Sequence, residues 1–365
     1  MAHSPARTRP DAEVLAETVR VADELLSPHA DRTARDGVPR THLDALAEAG
    51  ALGLAARDPA SLRKATEIIS AADGATWFVY AQHHQPVRAV AASDNRTLRE
   101  RWLAPLVTGH CLSGHAVSHL ARPGPPAITA TPGRSGQWTL NGRIAWLTSW
   151  GLADVILIGA TTPTDHVLFA LLPAEDLDVP HAVQRHSLWS MSATHAVAVD
   201  LHDVPMTHEQ VVGVSRHEDW LRTYLHHNAN THPAVFGHLR ATTRYLSRYE
   251  AFKSWADSAA LLADRLRDRA YRLIDTRPPH EATEERHTTR AAAVDLALRS
   301  ATACVAASGA RAMGTDTTPA RLIAEASFHL VHGQTAQAKN AYVHLTAAHT
   351  AHLLASQDDQ PPDLT

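Results

Sequence analysis

Histidine offers the most chemistry in this chain. It occupies 26 of 365 positions, and it is the one side chain whose ordinary pKa puts a charge change near neutral pH. Several histidines fall close together: His83 and His84, His115 and His119, His226 and His227, His329 and His332, and the set His344, His349 and His352. Metal ligation, proton transfer and plain compositional bias are three readings of that pattern. Metal ligation fits poorly, because no HExxH and no Cys/His zinc spacing is present and carboxylates are sparse nearby. A nucleophilic Ser/His/Asp site fits less well still, since no nucleophile elbow occurs. Bias accounts for most of the histidines: the chain also favours Ala and Arg, and lysine occurs only at Lys64, Lys253 and Lys339. Only a few of these histidines can be positioned to move a proton.

Composition narrows the classes. Apolar residues are 44%, charged residues 20%, and the formal net charge is −4. These values suit a globular chain with a sizeable core and exclude a disordered or collagen-like one. There is no basic stripe for nucleic acid and no run of about 20 apolar residues that would span a membrane. Met1 to Pro10 shows no apolar signal core. Cys111 and Cys304 cannot build a disulfide framework, so a cytoplasmic location is expected.

Three regions must hold the candidates in place. Residues 1–110 read as a helical domain. Asp11 to Leu26 carries Val14, Leu15, Val19, Ala22, Leu25 and Leu26 on one face, with Pro28 as its stop. Thr41 is placed to cap a second helix, Ser61 to Ala72 forms a third and Leu98 to Leu106 a fifth. The fourth runs from Ala75 toward Ala92, with Pro86 expected to kink or break it. Residues 111–212 switch to a period of two and read as an antiparallel β-barrel or sandwich. Candidate strands are Ala127–Thr131, Gln137–Leu140, Ile144–Thr148, Val155–Ile158, His166–Leu171 and Ala196–Leu201, with Asn141-Gly142 as a hairpin turn. Residues 213–365 read as a four-helix bundle of Glu218–Arg248, Ala256–Ile274, His287–Met313 and Ala320–Leu354, followed by a polar tail from Ser356. The fold class is therefore α+β, mostly α.

Several segments, in consistent order, resemble the acyl-CoA dehydrogenase superfamily. Among them are Leu46-Ala47-Glu48-Ala49-Gly50-Ala51-Leu52-Gly53-Leu54, Arg101 to Gly109 and Asp203-Val204-Pro205. The best match is Leu140-Asn141-Gly142-Arg143-Ile144-Ala145-Trp146-Leu147-Thr148-Ser149, ending in Ala153-Asp154. The resemblance implies a flavin between the β domain and the C-terminal bundle. It places Trp146 over the isoalloxazine, Thr148 near its N5, Ser118 toward the pyrimidine edge, and Ser149 beside them as a further cofactor-binding residue. The implied cofactor is FAD, or FMN or a reduced flavin supplied by a reductase. A homodimer or homotetramer built through the bundle is also implied.

Departures from the family pattern sharpen the functional question. Where the family has an acidic T-E-P-x-A-G-S-D segment, this chain has Ser118-His119-Leu120-Ala121-Arg122-Pro123-Gly124-Pro125-Pro126. The glycine-rich late segment is reduced to Ala307–Gly314. The position of the usual catalytic Glu falls on Gly333, or on His332 after a one-residue slip, and the alternative base position falls near His227. No carboxylate stands at either place. The flavin-dependent monooxygenase branch, which hydroxylates phenols or amines, carries a His where His332 lies and an Asp near Glu325. His332 is therefore the catalytic candidate. His83, His195, His227, His119 and Gly333 are candidates for the substrate pocket, and His329 is expected to face elsewhere or to cap. The leading expectation is a flavin-dependent monooxygenase or oxidase acting on a small molecule. The alternatives are an acyl-CoA or acyl-carrier-protein dehydrogenase with a relocated base, using an acyl thioester and an electron-transfer partner, and a flavin-free partner subunit or non-redox enzyme.

Overall fold

The computed structural model describes residues 9–179 and 182–358. The first eight residues, most of the segment read for a signal, and the end of the polar tail lie outside the described residues. The N-terminal region is built from α1 (Asp11–Val21), α2 (Ser27–Asp36), α3 (Arg40–Glu48), α4 (Pro59–Ala72), α5 (Gly74–Ala91) and α6 (Arg96–Thr108). Pro28 does not stop the first helix. A π-helical turn, Ala22–Leu26, carries the chain into α2, where Pro28 stands in the first turn and its missing N–H costs least. Thr41 lies inside α3 rather than capping it. Three Asx residues do the capping elsewhere. Asp58 accepts the Ser61 N–H at 2.8 Å, Asp73 the Thr76 N–H at 3.0 Å and Asn95 the Leu98 N–H at 3.2 Å, each contributing about 1 kcal/mol.

Eight strands form the middle layer: β1 (Ser113–Ala116), β2 (Ile128–Pro132), β3 (Trp138–Leu147), β4 (Val155–Thr161), β5 (His166–Pro173), β6 (Val183–Arg185), β7 (Val197–Met206) and β8 (Val211–Arg216). Their order is β6-β7-β3-β2-β4-β5-β8, with β1 parallel to β4. The Asn141-Gly142 hairpin does not form. Both residues lie within the continuous strand β3, which pairs with β2 on one side and β7 on the other. Gly142 takes φ +132 at a register shift, and a Cβ there would sit 2.1 Å from the Ala127 carbonyl oxygen. The local turn signal gives way to a β-bulge against a neighbouring strand. Leu140, Ile144 and Leu147 of β3 face the apolar interior with Ile156, Ile158, Leu168, Val197 and Val199.

The C-terminal region contains six helices rather than four: α7 (His217–Ala229), α8 (Pro233–Leu246), α9 (Lys253–Thr276), α10 (Thr283–Ser308), α11 (Thr318–Val331) and α12 (Ala336–Asp358). Glu218–Arg248 divides at Asn230 to His232, just before Pro233. Ala320–Leu354 divides at His332 to Thr335, where Gly333 takes φ +57. The segment Thr283–Met313 is long and apolar enough to cross a membrane. Here it packs inside the bundle, where Ala293, Val294 and Ala297 of α10 meet Val235 and Leu239 of α8. The two breaks bring the ends of α7, α8 and α11 together above α5, and that junction is where the chemistry-bearing side chains converge.

Candidate functional site

His332 caps the C-terminal end of α11. Its ring stacks on Phe328 at 5.3 Å and meets Trp77 at 5.5 Å, Phe78 at 5.4 Å and His232 at 4.9 Å edge-on. Arg290 of α10 holds this end in position. Its guanidinium donates to the carbonyls of His332 at 2.7 Å and Gly333 at 3.1 Å, and also to the carbonyl of Asn228 near the end of α7. A cation on the last carbonyls of two helices satisfies acceptors the helices leave open and opposes both dipoles. Burial lowers the Arg290 pKa to about 10, which still leaves it charged.

Pro86 does not break α5. A proline cannot donate to the carbonyl four residues back, so the Gln82 carbonyl is left open. His115 of β1 fills it, Nδ1 donating at 3.1 Å. That bond fixes the tautomer, and the other ring nitrogen of His115 is then an acceptor. His232 is fixed the opposite way: its Nδ1 accepts the Ala234 N–H at 3.2 Å at the start of α8, so the other nitrogen of the neutral ring donates.

His115, His232 and His332 are half-buried and His227 is exposed, yet burial lowers the pKa of all four rings. Side chains that solvent can reach but protein surrounds describe a cleft, here bounded by α5, β1, α7 and the ends of α8 and α11. The His332 imidazole is held at about 3, first by burial and then by the charge of Arg290. After burial, Arg88 and Arg290 lower His227. Among the described residues no Asp or Glu is a cause of the shift of any of the four rings. The cleft is therefore a set of neutral imidazoles, both donors and acceptors, against a wall of Trp77, Phe78 and Phe328.

The remaining candidates are dispersed. His83 is 1% exposed. Its Nε2 donates to the Leu106 carbonyl at 2.9 Å and its Nδ1 accepts the Ser113 N–H at 3.0 Å, so both nitrogens tie β1 and α6 to α5. The His195 Nε2 donates to the Val38 carbonyl at 3.3 Å and packs on Gly37. The His119 Nε2 donates to the Gly159 carbonyl at 2.8 Å. Gly333 stands against the Asn228 side-chain oxygen, where a Cβ would come within 2.2 Å. His329 is buried, with its ring 5.5 Å from Trp77 and 5.5 Å from His238.

The flavin candidates lie on β3 and beside it. Trp146 is 48% exposed, with one face stacked on His186 at 4.1 Å and the rest of the indole open. Thr148 is buried directly after β3, its carbonyl beside Gly114 of β1, and Ser118 is exposed just beyond β1. An open indole face, with a hydroxyl at the adjoining strand end, suits the ring half of a flavin. Ser149 faces the other way. It lines a cavity of about 10 Å³ with His83 and Ser113, space for about one water, and its Oγ has no protein partner there. The segment Arg122 to Ala127 is exposed throughout apart from half-buried Ala121 before it, and it offers one cation, Arg122, to a pyrophosphate.

Sequence reasoning missed His232, Arg290, Arg88 and Trp77, and it weighed His115 only as a metal ligand. His232 had a visible signal, as it precedes a proline at a helix start. Arg290 and Trp77 had none, because their roles exist only across helices distant in the chain. Among the described residues no group of three His, Cys, Asp or Glu side chains is arranged to hold a metal.

No family model matches the sequence, and no curated protein matches it. Solved structures do match in shape. Butyryl-CoA dehydrogenase from Megasphaera elsdenii aligns over 97% of this chain and 100% of its own, with TM-score 0.71 and 16% identity. Glutaryl-CoA dehydrogenase from Mycobacterium smegmatis, in complex with FADH2, aligns over 94% and 97%, with TM-score 0.75 and 16% identity. Dibenzothiophene monooxygenase from Paenibacillus sp. A11-2 aligns over 93% and 97%, with TM-score 0.67 and 18% identity. Agreement over nearly the whole length of dehydrogenases and a monooxygenase alike shows that this chain has the acyl-CoA dehydrogenase fold.

Proposed function

We propose that the protein is a flavin-dependent oxidoreductase that uses oxygen on a small molecule, with His332 handling the substrate proton. The observation that carries this reading is the cleft itself: four imidazoles meet there and no carboxylate acts on them. Removing the α proton of a thioester needs a base whose pKa lies near the working pH. An imidazole held at about 3 is several units too weak for that task. It suits a different one, since a neutral ring offers a donor and an acceptor to a hydroxyl or amine substrate and to oxygen-derived groups.

Trp146, Thr148 and Ser118 would hold the flavin ring. When bound, the flavin supplies the electrons and the reactivity toward oxygen. The chain's own residues do the rest. Trp77, Phe78 and Phe328 exclude water from one side of the cleft. His232 donates and His115 accepts at its polar side. The neutral His332 ring passes the substrate proton on, one ring nitrogen accepting it as the other gives one up. The shape match to a monooxygenase and the exposed indole of Trp146 support this reading. A reductase that delivers reduced flavin, FMN as readily as FAD, belongs to the same proposal. So does assembly through the bundle, supported by the exposed Leu261 and Leu262 of α9.

The test supplies reduced FMN or FAD to the purified protein and follows hydroxylation of a panel of phenols and amines in air. His332→Gln is expected to lower turnover by roughly 10²–10⁴-fold. Bleaching of bound flavin by an acyl-CoA without oxygen would replace this reading with a dehydrogenase.

A further inference from the structure

Behind the cleft, five buried polar atoms lack a hydrogen-bond partner, and they fall in one string: Trp77 Nε1, His329 Nδ1, His238 Nδ1 and Nε2, and Glu325 Oε2. Each such atom left bare costs about 1–3 kcal/mol, and proteins meet runs of them with buried water. His332 follows α11 as its C-cap, and its ring and that of His329 both lie 5.5 Å from Trp77. The His329 ring is 5.5 Å from Trp77 and 5.5 Å from His238, and His238 Nδ1 is 3.5 Å from Glu325 Oε2.

The far end of the string is charged. Glu325 Oε1 accepts from Arg321 at 3.0 Å, and Arg321 donates in turn to Asp31 of α2 at 2.8 Å. Glu325 lies against Gly74, where a Cβ would be 2.5 Å from its carboxyl carbon, so this carboxylate sits beside Asp73. Asp73 itself takes the Thr76 hydroxyl at 2.9 Å, and Thr76 accepts from His42 of α3 at 3.0 Å. Three carboxylates, Glu325, Asp31 and Asp73, lie about one buried arginine, which leaves room for a proton. Burial and the nearby Glu325 raise Asp73 to about 6, offset in part by the Thr76 backbone bond.

We propose that His329 and His238, bridged by buried water, connect the His332 ring to the Glu325–Asp73 carboxylate pair, which stores the proton taken up in the cleft. The inference rests on the reading of His332 as the group that handles the substrate proton. A substrate O–H or N–H gives its proton to one His332 ring nitrogen, and the other gives one up toward His329. His329 passes a proton to His238, and one carboxylate of the pair becomes a carboxyl. The proton returns by the same route when product leaves. Only N–H and O–H bonds form or break.

Ring-¹⁵N histidine spectra of the whole protein test this without flavin or substrate. A carboxylate only accepts, so it holds the facing His238 nitrogen protonated, and each ring behind it follows. The amide of Glu325→Gln can also donate, which frees the opposite tautomer. The expected result is a severalfold change in the tautomer ratio of His238 and of His329, transmitted to His332, with His166 on β5 unchanged. Unchanged tautomers at His329 and His332 in folded Glu325→Gln protein overturn the proposal, even if their titration midpoints move, because charge alone would do that. If Glu325→Gln does not fold, His238→Gln makes the same break one step nearer the cleft and is read at His329. Coupled tautomers together with unaltered turnover in His332→Gln would leave the path standing and remove the functional reading.

Discussion

Two histidine-bearing regions lie along α11, one at its C-terminal end and one nearer its start, and do opposite things with charge. In the cleft, His115, His227, His232 and His332 have no carboxylate acting on them and stay neutral. In the knot behind it, Arg321 binds both Asp31 and Glu325, with Asp73 and His238 packed alongside. Burial works against the charge of Arg321, and Glu325, Asp31 and Asp73 more than restore it. Burial also pushes the Glu325 carboxyl up, and Arg321 and His238 pull it below its ordinary range. The contrast shows that burial alone does not decide charge. Partners do: among the described residues no carboxylate is a cause of the shifts of the cleft rings, and the guanidiniums of Arg88 and Arg290 oppose a further positive charge there.

Arg290→Met should have the largest effect, because three half-buried carbonyls lose their donor at once. A loss of roughly 3–5 kcal/mol is expected in urea denaturation. A much smaller loss would mean that the cleft does not depend on that clamp.

Acid should separate the two regions next. His42, His83 and His332 have folded pKa values of about 4, 4 and 3, below the ordinary 6.5, with burial the first cause in each. The unfolded chain therefore binds their protons first. Their contribution is complete above pH 6.5 and is lost as the pH falls from 6.5 toward each folded value. Asp73 runs the other way: its folded value of about 6 lies above 3.8, so the folded state gains by its proton and stability falls as pH rises through that window. Between pH 4 and 6 these rings oppose Asp73, and burial lowers His84, His232 and His329 in the same direction, so stability is expected to rise with pH. Urea midpoints measured from pH 7 to 4 check the sign, and a flat profile would contradict the buried neutral rings.

Asp73→Ala removes the α5 cap and one member of the knot. About 1–2 kcal/mol should be lost, reduced by relief of repulsion with Glu325. His332→Gln should change stability least, by under about 1 kcal/mol, because the half-buried ring makes contacts but no side-chain hydrogen bond in the structure. A thermal melt that shifts strongly would mean that His332 is a packing residue.

Much of the architecture was legible because it is local. Alternation marked β4, β5 and β7, helical period marked α1, α4 and α5, and the motifs around Trp146 and Pro205 pointed to the fold. The misreadings share one cause. Pro28, Pro86 and Asn141-Gly142 are breakers in isolation, and each was absorbed by something distant or irregular: a π turn, the His115 ring donating to the orphaned Gln82 carbonyl, and a bulge of β3 against β7. Long apolar patterns at Glu218–Arg248 and Ala320–Leu354 hid two helix breaks that Pro233 and Gly333 announced locally.

By itself the sequence determined the order of helices, sheet and helices, and the family resemblance singled out His332 as the residue to examine. Local spacing carries that much, since period and residue type need no partner. Only the tertiary structure decided which histidines meet. It drew His115, His227 and His232 to His332 and His329 to His238, while it committed both nitrogens of His83 to the main chain and turned the Ser149 hydroxyl inward. Proton chemistry depends on who faces whom across a few ångströms of dry protein, and in this chain those neighbours come from α5, β1, α7, α8, α10 and α11, more than two hundred residues apart along the chain at the extremes.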